Sequence, residues 1–320
     1  MNARAPIRRL APFLRLAISC GLLIVIAGWV EPDELLARID VVSPGWIVLA
    51  VAISVPQVLL SAWRWQLTAD RLGAALPFGE AVREYYLGSF VNQLAPGGVL
   101  GDAARAWRHA RAQPSTREAW HAVLIERAAG QLALLVSAVL ALSLSPALAA
   151  DLFAALAHGW DGLPPGLTLL AAVGASAALV LLIRHPAAPL RRFARDIGRG
   201  LLAARVWPRQ ALASLLVVAS YVAVFMCCAR AIGDPTPVPV LAPLLTLVLL
   251  AMAIPVSIAG WGVREGAAAL TWGIAGLEPA QGVAISVTYG AVVLISTLPG
   301  AWALVADYRH AATARASPPR

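Results

Sequence analysis

Residues 85–101 read YYLGSFVNQLAPGGVLG, an apolar stretch interrupted near its centre by Asn92, Gln93, Pro96, Gly97 and Gly98. It is too apolar for a solvated loop. Its proline and glycines halt a helix short of the roughly 20 residues that a bilayer crossing takes. Arginine placement decides its role. Arg64, Arg71 and Arg83 precede it, and Arg105, Arg108, Arg111 and Arg117 follow. A crossing would send these two groups to opposite compartments, against the retention of arginine-rich loops in the cytoplasm. A re-entrant hairpin, entering and leaving on the cytoplasmic face, keeps all seven inside.

Composition agrees with a bilayer. Of 320 residues, 60% are hydrophobic and 13% charged, with a mean hydropathy of +0.75. Too few polar side chains remain to cover a globule, which excludes a soluble enzyme, a disordered chain and a fibrous repeat. All 25 basic residues are arginine, so Schiff-base chemistry and lysine-dependent phosphate loops are excluded. In a soluble chain the net charge of +8 would suggest nucleic acid. Here the arginines cluster between apolar runs, as membrane topology requires, and no nucleic-acid partner is expected. Cys20, Cys227 and Cys228 lie within apolar runs, and the five histidines lack metal-ligand spacing, so no metal or cofactor is expected.

Outward from the first broken stretch, apolar runs at 13–30, 45–63, 120–144, 167–183, 211–229 and 281–304 are long enough to cross, giving about six full spans. A second broken stretch, 241–276 (LAPLLTLVLLAMAIPVSIAGWGVREGAAALTWGIAG), resists that assignment. Residues 1–15 carry four arginines, 184–209 seven and 305–320 three, and all of these fall on the cytoplasmic side together with both termini. The second stretch must then enter and leave from the outer face. The predicted fold is an all-α polytopic membrane protein with two re-entrant broken-helix hairpins. Its first membrane repeat is 1–144 with an inner hairpin over 84–117, and its second is 167–304 with an outer hairpin over 238–278. An outer loop, 145–166, joins them, and 305–320 is a cytoplasmic tail. This is an inverted-topology repeat, the usual architecture of secondary transporters. The breaks resemble one another locally: Gly97-Gly98-Val99-Leu100-Gly101-Asp102 and Gly260-Trp261-Gly262-Val263-Arg264-Glu265.

Irregular backbone at membrane depth is tolerated only in packed protein or beside a wet cavity, so the breaks mark a cavity. Asp102 is placed to N-cap a returning helix on which Arg105, Arg108 and Arg111 recur every third residue, an arrangement that would attract phosphate. These arginines could equally anchor a cytoplasmic loop to anionic lipid. Glu126 and Arg127 lie about seven residues into a span, where an insertion cost of about 2.5–3.5 kcal/mol per charge demands a partner. A structural pair, snorkelling, or a reach toward the hairpins would each supply one. Arg264 and Glu265 lie deeper. Trp63, Trp65, Trp107 and Trp120 read as interfacial belt residues, and Arg64 at a span end as an anchor or, alternatively, a contact to a lipid head group. Leu190, Phe193, Ile197 and Leu201, with arginines between, predict a helix on the inner leaflet.

Three motifs carry a family resemblance. Asn92-Gln93-Leu94-x-Pro96-Gly97-x-x-Gly101-Asp102-x-x-Arg105, then Glu126-Arg127, then Ile254-Pro255-x-Ser257-x-x-Gly260-x-Gly262-x-Arg264-Glu265-Gly266 resembles the flippase-like membrane family of the lysylphosphatidylglycerol synthase transmembrane region. The resemblance implies lipid translocation. In the full synthases a soluble aminoacyl-transferring domain follows, whereas some 16 residues follow the last span here, so a stand-alone flippase-like protein is expected.

The expected function is movement of an anionic lipid or lipid-linked precursor between leaflets of a bacterial-type inner membrane, with Arg127 and Arg264 holding the head group and Glu126 and Glu265 balancing charge or carrying protons. No nucleotide motif is present, so transport would be passive or coupled to an ion gradient. An integral-membrane enzyme acting on a lipid phosphate, with Asp102 or Glu126 as acid or base, is the alternative, although no nucleophile stands beside a base. A third reading is a non-catalytic partner in lipid or glycan synthesis. Homo-oligomers are compatible with each.

Overall fold

The computed structural model describes residues 42–95, 98–160, 188–253 and 259–316. The expected spans at 13–30 and 167–183, together with Pro96, Gly97 and Pro255, lie outside these. The described residues form helices and no strand: α1 (Pro44–Arg71), α2 (Phe78–Leu94), α3 (Leu100–Arg111), α4 (Thr116–Ser143), α5 (Pro146–Trp160), α6 (Ala188–Gly200), α7 (Trp207–Ala231), α8 (Val238–Ala251), α9 (Val263–Ile274), α10 (Pro279–Ser296) and α11 (Leu298–Ala316). Among the described residues, four stretches are long and apolar enough to cross a membrane: α1, α4, α7 and the α10–α11 run over Pro279–Arg309. Leu132, Leu135, Val136, Val139 and Leu140 stay exposed along α4, as a lipid-facing surface requires. The chain is a polytopic membrane protein, helical throughout its regular described structure.

Helices α1 and α7 are antiparallel along their length. Ser43 N donates to Ala231 O at one end, Ser220 Oγ to Gln57 Oε1 midway, and Gln210 Nε2 to Thr68 Oγ1 at the other. The first broken stretch leaves from the Arg71 end and returns to it. Gln113, just after α3, donates to Ala75 O, just before α2. Between them α2 and α3 run antiparallel, with Glu84 beside Arg108 and Asn92 beside Asp102. The second stretch leaves from the Ala231 end and also returns, because Gln281, early in α10, donates to Asp234, just after α7. Two helical hairpins thus start from opposite ends of the α1·α7 pair.

At about 1.5 Å per residue, neither the 17-residue α2 nor the 12-residue α3 reaches the roughly 30 Å of a hydrocarbon core. Their close approach depends on Gly101, where a Cβ would collide with the Gly88 carbonyl. In the second hairpin Gly260 and Gly262 adopt φ of 83° and 84°, conformations that glycine alone enters without strain. The two local likenesses align structurally: α3 starts at Leu100 and α9 at Val263, and the acids Asp102 and Glu265 each sit in the third helical position.

Three expectations change in detail. Residues 146–160, within the stretch read as a loop, form α5, with proline at the helix start where its missing N–H costs nothing. The single span at 281–304 divides at Thr297 into α10 and α11, since Pro299 cannot continue the hydrogen-bond ladder. Helix α6 packs on the bundle as well as presenting arginines. Phe193 meets His121 edge-on at 5.0 Å and Asp196 lies 2.6 Å from the same ring, while Arg191, Arg192, Arg195 and Arg199 remain exposed.

Candidate functional site

A cavity of about 300 Å³ lies where the turns of the two hairpins meet α1, α4, α7 and α10. From the first hairpin come Asn92, Gln93, Gly98 and Asp102, and from the second Gly260 and Arg264. Helix α4 contributes Glu126 and Arg127, and α1 contributes Ser54, Gln57, Ser61 and Arg64. Seven of the residues singled out from sequence therefore share one wall or another of a single hollow. Gly101, Arg105, Gly262 and Glu265 stand behind that lining.

The first hairpin holds its turn with side chains. Asn92 Oδ1 accepts from Gly101 N at 2.7 Å, so a side chain from α2 satisfies an amide at the start of α3. Asp102, expected as the N-cap, sits inside the first turn instead; Val99 is the cap residue. Because Asn92 has taken the capping bond, the Asp102 carboxylate is free to accept from Asn92 Nδ2, Arg105 Nε and Arg127 Nη1, each at 3.0 Å.

Glu126 and Arg127 both reach toward the hairpin and do not pair with one another. Glu126 Oε2 accepts from Arg105 Nη2 at 2.8 Å, and its Oε1 lies 3.5 Å from Arg64 Nη1. Arg127 reaches Asp102 and the Gly98 carbonyl. Adjacent helical residues point about 100° apart, which lets one dipeptide serve two partners. Arg105 is sandwiched between Trp65 and Tyr85, at 4.7 and 4.6 Å from the ring centroids. These cation–π contacts compensate desolvation of a side chain that is 1% exposed.

The arginine face expected on α3 is taken apart by its own spacing. Three-residue steps turn each arginine by about 60° relative to the last. Arg105 turns inward, Arg108 Nε lies 2.6 Å from Glu84 Oε2, and Arg111 stacks on Trp107 at 4.2 Å. None of the three belongs to the cavity lining.

In the second hairpin Arg264 and Glu265 do pair. Arg264 donates from Nε and Nη2 to Glu265 Oε1 at 3.0 and 2.6 Å, and from Nε to Ser286 Oγ at 2.9 Å. Glu265 Oε2 accepts from Gly262 N at 2.7 Å, closing the start of α9 on itself. Trp261 stacks on the guanidinium at 4.6 Å, and Gly290 on α10 leaves room for it where a Cβ would collide.

Arg64, which the sequence places at a span end as an anchor or a head-group contact, lies inside the helix instead. It is buried, lines the cavity and donates from Nη2 to the Glu126 backbone carbonyl at 2.9 Å. Trp65, read as a belt residue, is fully buried, because α1 runs on to Arg71 and places both residues about two turns inside its end. The signal was present in the spacing. Ser54, Gln57, Ser61, Arg64 and Thr68 recur at three- or four-residue steps, a polar stripe on an otherwise apolar helix. Tyr221 and Tyr289 also line the cavity without having been singled out.

No metal-ligating cluster of three or more groups is found among the described residues. Among curated proteins, none matches the chain. Residues of all three motifs thus line one cavity, and the comparison with known families agrees with them: residues 13–300 match the lysylphosphatidylglycerol synthase TM region, and the chain belongs to that family of membrane proteins related to lipid metabolism or transport.

Proposed function

We propose that the chain moves an amphiphilic lipid with an anionic head group between the leaflets of the inner membrane. In this reading α2–α3 and α8–α9 are re-entrant, dipping into the bilayer from its cytoplasmic and outer faces as equivalent parts of an inverted-topology repeat. The head group occupies the cavity and the acyl chains stay in lipid. Both termini and the arginine-rich α6 face the cytoplasm.

One observation carries the reading. Hairpins that start from opposite ends of the α1·α7 pair bring Asn92 and Asp102 from one side, and Gly260 and Arg264 from the other, to a single polar cavity. Charge and irregular backbone at that depth cost several kcal/mol unless they line a polar space that is used. Family membership supports the lipid, and the guanidinium of Arg127, whose side chain is 40% exposed, supports an anionic head group. Acid–base chemistry on a lipid phosphate is less well supported. Asp102 and Glu126 are each engaged by two arginines, so their carboxylate oxygens are already taken up as acceptors within the protein.

The test is reconstitution of the purified chain into vesicles with head-group-labelled lipids. Accelerated leaflet exchange of anionic lipids is expected. Exchange at the protein-free rate across a broad lipid panel, with folded protein, contradicts it.

A further inference from the structure

The charges around the cavity do not cancel, and the surplus can be localised. Four guanidiniums (Arg64, Arg105, Arg127, Arg264) and three carboxylates (Asp102, Glu126, Glu265) form the network, a formal excess of one positive charge among the described residues. The second hairpin contributes none of it, because Arg264 and Glu265 neutralise one another. The excess belongs to Arg64, Arg105 and Arg127 against Asp102 and Glu126. Of these arginines, Arg64 and Arg105 have side chains 2% and 1% exposed, and Arg127 is 40% exposed on the cavity wall. A buried charge surplus is costly in low dielectric and is relieved by one counter-charge at the group a ligand can reach.

We propose that the head-group site is monovalent: it takes one negative charge, on the Arg127 guanidinium, and so selects a singly charged phosphodiester-type head over zwitterionic and doubly charged ones. Arg264 is not a second anion ligand. The inference deepens the transport reading and rests on it for the lipid character of the ligand. Asp102 sets the valence. Its carboxylate already draws on Arg127 at 3.0 Å, so the bound anion shares that guanidinium and does not displace a neutral partner.

The test uses three dioctanoyl lipids with identical chains, offered to the purified full chain in nonionic detergent at about pH 8, above the second phosphate pKa near 6. Phosphatidylmethanol carries one negative charge, phosphatidylcholine is zwitterionic and phosphatidic acid carries two. The singly charged lipid is expected to bind about tenfold more tightly than either of the others. Arg127→Gln should abolish the preference and Arg127→Lys should retain it. Asp102→Asn, which raises the surplus to two, should shift it toward phosphatidic acid. Arg127→Gln alters an exposed side chain, so the test does not depend on whether Asp102→Asn folds. Equal binding of all three lipids, or a preference that survives Arg127→Gln, overturns the assignment. Selective binding without leaflet exchange would contradict the transport reading and leave the monovalent site standing, and leaflet exchange without charge selectivity would do the reverse.

Discussion

Arg105 donates from Nη2 to Glu126 Oε2 at 2.8 Å, and this bond fixes the returning helix of the first hairpin to a helix long enough to cross the membrane. The same guanidinium holds Asp102 through Nε and lies between two aromatic rings. Arg105→Met should therefore leave Glu126 and Asp102 short of a partner and cost about 3–5 kcal/mol, as removal of one member of a buried pair does. Thermal unfolding of the detergent-solubilised protein checks this. Lysine should not rescue it, since a single ammonium cannot reproduce the planar fork between Trp65 and Tyr85. An unchanged melting temperature would show the pair to be incidental.

Glycine chemistry supplies a paired prediction. At Gly101 a methyl group would meet the Gly88 carbonyl, a backbone atom that cannot swing aside. Gly101→Ala should destabilise by at least about 1–3 kcal/mol, as overpacking does. Gly45→Ala, on α1 with nothing within 4 Å, should fold as well as the parent. The comparison is read as yield of monodisperse protein and thermal midpoint. Similar losses at both positions would remove the close α2·α3 approach from the account.

The link between α6 and α4 is testable by proteolysis. Asp196 is buried, lies 2.6 Å from His121 Nδ1, and shares that contact with Phe193 edge-on to the same ring. Asp196→Ala should release α6 from the bundle and raise the rate of tryptic cleavage at Arg191, Arg192, Arg195 and Arg199 several-fold in inside-out vesicles. A cleavage rate equal to the parent's would mean that apolar packing alone holds the helix.

Much of the site was legible because its residues violate the rules of their surroundings. Glu126, Arg127, Arg264 and Glu265 are charges in apolar runs, and glycine and proline in 85–101 and 241–276 interrupt stretches that otherwise read as spans. Arg64 escaped because it does not stand out in that way. Flanked by Trp63 and Trp65 at what reads as a span end, it imitates an interfacial anchor, and only the continuation of α1 to Arg71 shows that it is internal. Asp102 was assigned the wrong role for a related reason. N-caps are ordinarily local, whereas here Asn92, nine residues before Gly101 and on another helix, supplies the bond to the Gly101 amide. Pairing is likewise hidden from a linear reading: Glu126 and Arg127 take separate partners and Arg264 and Glu265 take each other.

The central claim is that two hairpins from opposite membrane faces meet at one cavity, and side-specific cysteine labelling tests it most directly. In a background without native cysteines, Ala112→Cys, at the end of the first hairpin, and Pro235→Cys, before the second, both occupy exposed positions. With a membrane-impermeant thiol reagent on intact cells, Pro235→Cys should label from outside, and Ala112→Cys only after the inner face is opened. Labelling of both positions from the same side would contradict the account.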